Sequence, residues 1–299
     1  MNLAIGIDLG GTNIKAALVD ARSAKMHAAL TRPTHDGEFD GDVPRFALTV
    51  REIVQAFEAQ AGGKLRVGLS APGLANPNGQ CINWMPGRMH GLEKFQWAGF
   101  LDRDCRVLND AHAALLGEVW AGAAQNTRDA FMITLGTGVG GAVWSGGRLL
   151  QGRIGRAGHL GHITVDVNAP CDRFNTPGSL ESAIGNQSIL RRGEGRYADT
   201  LALLGACAAG NEHAQKVWHD SVRHLAAAIA SLANVLDPEV VIIGGGIATG
   251  AKSLLFNPLQ QQLDVLEWRP GGNQIRVVPA ELGDSAGCLG AVFNLLQNT

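Results

Sequence analysis

From Leu3 to Leu9 the chain reads LAIGIDL, apolar or glycine everywhere except Asp8, and after Gly10, Gly11 and Thr12 a second apolar run extends from Ile14 to Val19 with only Lys15 interrupting it. Such a run bounded by glycine predicts a buried strand, and the two together predict a hairpin. The same grammar returns in AFMITLGTGVGGAVWSGG, with a strand from Phe131 to Leu135, a turn at Gly136, Thr137 and Gly138, and a strand near Gly141 to Trp144. Laying Leu9 over Leu135 gives a spacing far too long for a solenoid repeat and suited to two homologous lobes. Between the hairpins the pattern predicts a helix from Pro44 to Ala61, a strand at LRVGLS, turns through APGLANPNGQ, a strand at CRVLND and a helix at AHAALLGEVWAG. Beyond the second hairpin the chain reads as loop from Gly146 to Pro177 and mostly helix to about Leu236. EVVIIGGGIATG then reads as a buried strand, a glycine turn and a helix, and GCLGAVFNLL as a closing helix. Strands alternating with helices indicate an α/β fold. The expected division is a small N-terminal lobe over residues 1–110, onto which the helix of residues 285–299 packs back, and a larger lobe over 111–284.

Composition narrows the partners. The 299 residues suit two lobes better than one, and 45% apolar with 17% charged residues is ordinary for a globular protein in water. A net charge of −2 with no long run of Lys or Arg argues against nucleic acid or a polybasic membrane surface as a partner. The N-terminus has no basic segment or cleavage site, and no stretch of about 18 apolar residues occurs, so a cytosolic protein is expected. The cysteines, Cys81, Cys105, Cys171, Cys207 and Cys288, are five, widely spaced and without a CxxC, which speaks against a disulfide framework.

The chemistry concentrates at the glycine turns and beside them. A glycine at a strand turn lets backbone N–H groups approach an anion, and two related turns plus the run Gly244, Gly245, Gly246 favour phosphate binding over mere hairpin closure. None of them matches the P-loop or dinucleotide fingerprint. Asp8 ends an apolar strand just before the first turn, where a bare carboxylate is costly; Mg²⁺ carried with nucleotide phosphates would compensate it, through water, and a carboxylate capping turn amides is the alternative. Asp110 directly precedes a helix, so it is either an N-cap or a general base that takes the proton of an attacking hydroxyl; Asn109 beside it both donates and accepts.

Together and in this order these segments resemble the ROK family of bacterial sugar kinases, within the actin, Hsp70 and hexokinase superfamily. The resemblance runs through DLGGTNIKAALVD, GLSAPGLANPNGQCIN, LNDAHAALLGE, TLGTGVGGAV, AGHLGH, GSLE and VVIIGGGIA, nearly the whole chain. It implies a two-lobed actin-like, ribonuclease H-like duplication with a cleft, and ATP- and Mg²⁺-dependent phosphoryl transfer to a hexose or N-acetylhexosamine, usually at the 6-hydroxyl. By the same match Asp110 is the catalytic base, while Gly73, Asn83 and Asn109 lie on the sugar. The turns at Gly10–Thr12 and Gly136–Gly138 hold phosphates, Gly244–Gly246 lie near the adenosine, and the assembly is a homodimer.

Two departures from the family pattern concern the histidines of AGHLGH. Family kinases commonly read GExGH followed by CxCGxxGCxE, in which three cysteines and the last histidine bind a structural zinc. Here His159 replaces the glutamate, and DRFNTPGSLE puts Asp172, Phe174 and Ser179 where the cysteines stand, with Cys171 one position out of register. Phe174 cannot ligate a metal, so no structural zinc is expected. The resemblance then implies His159, His162 and Glu181 as sugar ligands without metal, with His159 a specificity residue. Some N-acetylmannosamine kinases resemble this chain in reading AGHxGH. A catalytically weak sugar- or nucleotide-binding sensor is the alternative, and a superfamily ATPase acting on another substrate a further one. A repressor is not expected, because the first strand begins by Leu3 without a preceding helix-turn-helix.

Overall fold

A computed structural model describes residues 2–297 and divides the chain into two compact units. The first comprises Met1–Asn126, Leu149–Ala157 and Glu281–Thr299, the second Thr127–Arg148 and Gly158–Ala280. The last two residues of the expected closing helix lie outside the described residues.

The first unit is built on β1 (Leu3–Leu9), β2 (Asn13–Asp20), β3 (Met26–Pro33), β4 (Arg66–Ala71) and β5 (Cys105–Asn109), in the order β3-β2-β1-β4-β5. β1 and β2 form the expected hairpin, and β4 and β5 add in parallel. α1 (Arg45–Ala61) buries Phe46, Val50, Ile53, Val54 and Phe57 at helical spacing against Ile5, Ile7 and Leu69. α2 (Asp110–Ala121) packs with the C-terminal helix (Ala286–Gln297), and this is why the unit continues to Asn126 where the sequence suggested a boundary near Asp110. The fully buried Glu118 of α2 fixes the returning chain, accepting from the amides of Glu281 at 3.0 Å and Leu282 at 2.9 Å. The edge strand β3 escapes the hydrophobic pattern because it is mostly exposed.

The second unit repeats the plan. β6 (Ala130–Leu135), β7 (Val139–Ser145), β8 (Arg148–Leu149), β9 (Val240–Gly244) and β10 (Val277–Pro279) run in the order β8-β7-β6-β9-β10, the same path of antiparallel hairpin followed by parallel strands. Around them lie α3 (Leu180–Ile184), α4 (Thr200–Ala208), α5 (Glu212–Leu236), α6 (Gly246–Ala251) and α7 (Ser253–Leu266). α5 buries Trp218, Val222, Leu225 and Ile229 on one stripe. No helix among the described residues is long and apolar enough to cross a membrane.

Candidate functional site

In the first unit the turn after β1 is closed by the Gly10 amide donating to the Asn13 carbonyl at 3.0 Å. Thr34, fully buried, braces it from behind: its hydroxyl donates to the Gly10 carbonyl at 2.6 Å and its amide to the Thr12 carbonyl at 2.9 Å. The exposed Gly11 and Thr12 stand at the tip, their amides spent on no hydrogen bond among the described residues. Asp8 faces Ser70 across the parallel β1–β4 pair and accepts from its hydroxyl at 2.8 Å. Desolvation holds the Asp8 carboxyl above the usual carboxylate range, against the Ser70 hydrogen bond and the Lys15 charge.

Asn109, 4% exposed, is the N-cap of α2; its Oδ1 accepts from the Ala111 amide at 3.0 Å and the His112 amide at 3.2 Å, and its Nδ2 donates to the Gly73 carbonyl at 2.9 Å. Most of its polar capacity is therefore spent on shaping the strand-to-helix turn and fixing Gly73. Asp110, the next residue, is accessible and accepts from the Ala111 amide at 2.8 Å. Its pKa is pushed up to about 6, by desolvation first and by the Asp8 charge second, with Arg88 opposing. Asn83, on a short strand (Ile82–Trp84), is half-buried, and its Oδ1 lies 3.4 Å from the Asn76 amide group. His112, buried on α2, pairs through Nε2 with the Ala157 carbonyl at 3.0 Å, which anchors the segment leading into AGHLGH.

In the second unit the turn after β6 is closed by the Gly136 amide donating to the Gly138 carbonyl at 3.0 Å. The amides of Thr137 and Gly138 make no hydrogen bond among the described residues, so this tip too presents N–H groups suited to an anion. Glu181, 6% exposed on α3, lies directly behind it: one oxygen accepts from the Val139 amide at 3.1 Å and the other from the Gln187 side chain. A Cβ at Gly138 would meet that carboxylate, which is why the turn needs glycine there. The sequence reading placed Glu181 on the sugar; both its oxygens are here engaged in holding the turn. The amides of Asn186 and Gln187 donate to the carbonyls of Gly136 at 3.0 Å and Thr137 at 2.8 Å, completing the support.

Gly244 ends β9, and Gly245, at φ +88° and against the Leu135 carbonyl, turns the chain into α6 at Gly246. A cavity of about 300 Å³ opens there, lined by Gly136, Thr137, Asn186, Thr200, Gly246 and Ile247 among others. The Thr200 hydroxyl is buried without a hydrogen-bond partner among the described residues, a polar atom suited to a ligand. The structure therefore brings the second glycine turn, through Gly136 and Thr137, and the third glycine run, through Gly246, to one cavity.

His159 is half-buried and leads into a single 3₁₀ turn (Leu160–His162); His162 is exposed, with its ring edge-on to Phe174 at 5.2 Å between centroids. The loop after it is closed by protein groups. Asp172 accepts from the amides of Phe174 at 2.8 Å and Thr176 at 3.0 Å, and Ser179 caps α3 by accepting from the Ser182 amide at 3.2 Å. Desolvation works to raise the Asp172 carboxyl, but hydrogen bonds from the Thr176 amide, the Ser179 hydroxyl and the Phe174 amide together outweigh it and hold the group below its ordinary value. Among the described residues no group of three or more His, Cys, Asp or Glu is placed to hold a metal.

The sequence reading missed Thr34, His112, Asn186, Gln187 and Thr200. Thr34, His112, Asn186 and Gln187 act through partners distant in the chain, while Thr200 is marked only by its buried hydroxyl; His112 lies in LNDAHAALLGE, but nothing local shows that its ring reaches Ala157. Ser70 lay in a quoted segment, and the parallel register of β1 and β4 is what pairs it with Asp8.

Residues 4–298 match the ROK family. The chain is 33% identical to the glucokinase of Thermotoga maritima over 309 residues, covering 96% of this chain and 95% of that protein. It is 31% identical to the N-acetylmannosamine kinase of Escherichia fergusonii over 297 residues, covering 97% of each. Among solved structures, the ROK hexokinase of Thermus thermophilus superposes with a TM-score of 0.87 at 29% identity, over 99% of this chain and 100% of that one. A ROK family glucokinase of Streptomyces griseus in complex with glucose and AMPPNP superposes with a TM-score of 0.76 at 26% identity, again over 99% and 100%.

Proposed function

The chain belongs to the ROK family, and from that premise we propose that it is an ATP-dependent sugar kinase that transfers the γ-phosphate to a hydroxyl, the 6-hydroxyl, of a hexose or N-acetylhexosamine. The observation that carries the reading is Asp110: an accessible carboxylate at the start of α2, fixed by the Ala111 amide and the Asn109 cap, with a pKa near 6. A base of that pKa is ionised at neutral pH and still strong enough to accept the hydroxyl proton as the sugar oxygen attacks phosphorus and the bond to ADP breaks. The proton resides on Asp110 after transfer and leaves with product.

The Gly10–Thr12 and Gly136–Gly138 tips offer amides to the phosphates, and the cavity beside Gly246 takes the adenosine, with Thr200 at hand for a polar contact. Asp8 fits Mg²⁺: a desolvated carboxylate with an oxygen that Ser70 leaves open would hold the ion with water and nucleotide oxygens, and the ion would offset phosphate charge. Gly73, Asn83, Asn109, His159 and His162 are assigned to the sugar, with Asn109 confined to the donor capacity that its cap leaves. Glu181 acts on the phosphate turn and reaches the sugar only through remaining lone pairs. The assembly is a homodimer in the cytosol, a reading checked by light scattering.

Two of the curated relatives act on different sugars, and His159 is the residue assigned to that difference. Neutral imidazole has one donor and one acceptor where a glutamate only accepts. Mismatch of one buried polar contact costs about 1–3 kcal/mol, or roughly 5- to 150-fold. The test is ADP release with glucose, mannose, N-acetylglucosamine and N-acetylmannosamine. We expect weak turnover of glucose and better turnover of a sugar differing at C2, and His159→Glu should move the ratio of kcat/KM values toward glucose or N-acetylglucosamine. Unchanged ratios would remove His159 from the sugar, and no ADP release with any sugar would leave a binding protein in place of a kinase.

A further inference from the structure

The second unit contains another cavity, of about 290 Å³, that none of the assigned residues lines. Ser182 and Ala183 of α3 form part of its wall, and Arg191, Arg192 and the first half of α5 form another. Arg192 donates through Nε to the Ser188 hydroxyl at 2.9 Å, through Nη1 to the Ser221 hydroxyl at 2.6 Å and through Nη2 to the Gly185 carbonyl at 3.1 Å. Arg191 donates to the Ser182 carbonyl at 3.2 Å. All these acceptors are neutral. The carboxylates nearby are otherwise engaged, Asp220 with Lys216 at 2.7 Å and Glu194 with His213 at 3.3 Å and Arg196 at 3.2 Å, while Asp166 accepts the Asn168 amide at 3.0 Å. Neither guanidinium forms an ion pair among the described residues, and each keeps N–H groups to spare out of its five.

We propose that this cavity binds a small phosphate-bearing anion through Arg191 and Arg192, and that its occupancy is felt at the Gly136–Gly138 turn. Two adjacent guanidinium groups without counter-ions match a phosphate by paired N–H···O contacts, and the volume suits a small metabolite. Desolvation, with the Arg191 charge second, pulls the Arg192 pKa down to about 10, as a cation lacking its anion should show. The path to the turn runs through hydrogen bonds joined by the short backbone segment of residues 181–187. The arginines grip the carbonyls of Ser182 and Gly185; the Gly185 amide donates to the Glu181 carbonyl at 2.9 Å, and Asn186 and Gln187 next to it donate to Gly136 and Thr137. An anion that draws either guanidinium into the cavity loosens its hold on the segment that supports the turn.

The coupling half rests on the kinase reading, whereas the binding half does not. Binding is tested by thermal denaturation of the full chain saturated with AMPPNP, in inorganic phosphate, in citrate and in chloride of equal ionic strength. Phosphate should raise the midpoint by on the order of 2–4 °C at several times its dissociation constant, with no rise in chloride. Arg191→Ala should abolish that rise and, because it also removes the grip on the Ser182 carbonyl, shift the KM for ATP in chloride toward the value that phosphate gives the wild type, while Arg192→Lys should weaken the rise. No rise with phosphate, or an equal rise in Arg191→Ala, overturns the site; a rise with citrate alone overturns the phosphate assignment. For the coupling, phosphate should change the KM for ATP by about fivefold or more in the wild type and not in Arg191→Ala. Binding with an unchanged KM overturns the coupling and leaves the kinase reading untouched.

Discussion

The two units carry the same hairpin and the same parallel neighbour in the same register, Asp8 opposite Ser70 in one and Thr134 opposite Gly244 in the other. They differ in where the carboxylate goes. In the first unit it sits on the strand, beside the turn, desolvated and held by one neutral hydroxyl. In the second the strand position is a threonine, and the acid comes from a helix, Glu181, with both oxygens engaged on the turn's own framework. One architecture thus yields a carboxylate free to meet a cation and another consumed as a structural brace. The first turn takes its brace from a hydroxyl instead, Thr34. Duplication supplies two glycine tips whose amides are suited to an anion, and divergence behind them decides where the acid stands.

The largest expected effect breaks the chemistry of the first unit. Asp110→Asn should lower turnover by at least roughly 10²-fold, the loss of a general base, with nucleotide binding nearly unchanged. Because the folded pKa of Asp110 lies above its unfolded value, its contribution to stability is present at low pH and lost as pH rises through about 6. The asparagine variant should therefore keep or raise Tm at neutral pH. Turnover above about half of wild type, with chemistry rate-limiting, would remove Asp110 from the base role.

Titration offers the second test. Only ionised Asp110 can accept a proton, so kcat/KM should fall on the acid side with an apparent pKa near 6 and lose about tenfold per unit below it. The limb should disappear from whatever residual activity Asp110→Asn retains. A flat profile down to pH about 5 would contradict the assignment.

Glu181→Ala then probes the second unit. It leaves the buried Val139 amide without its partner, a cost of about 1–3 kcal/mol, and slackens the Gly136–Gly138 turn. Stability by denaturant and the KM for ATP should suffer together. If instead only the KM for sugar rises, Glu181 is a sugar ligand as its sequence position suggested.

That ambiguity marks the limit of what the sequence reveals. Both hairpins, β9 with its glycine turn and the closing helix were legible because long apolar runs bounded by glycine have few other readings. Asp8 and Asp110 were legible because each interrupts or ends such a run. Glu181 was named from its place in GSLE, but its engagement with Val139 depends on α3 folding behind the turn, which no local pattern encodes. Asn109 was read as a sugar ligand and Asp110 as the alternative N-cap, whereas Asn109 takes the cap: both side chains reach the Ala111 amide, but only that of Asn109 also reaches the His112 amide. Thr34 and Thr200 gave no signal, since a lone threonine becomes informative only when burial and a partner, or the want of one, are known.

The smallest expected effect sharpens the comparison from the other side. Thr34→Val keeps the volume and removes the hydroxyl that donates to the Gly10 carbonyl, while the Thr34 amide still donates to Thr12. A neutral hydrogen bond of this kind contributes about 0.5–1.5 kcal/mol, so the loss should be at the low end of the cost for Glu181→Ala, where an ionised acceptor is withdrawn from a buried amide. The KM for ATP should rise less than in Glu181→Ala, because one brace in the first turn survives. Denaturant titrations of the two variants under one buffer decide the order. If Thr34→Val proves the more damaging, the hydroxyl brace carries more of its turn than the carboxylate carries of the other, and the two units differ in the strength of their supports in the opposite sense to that argued from charge.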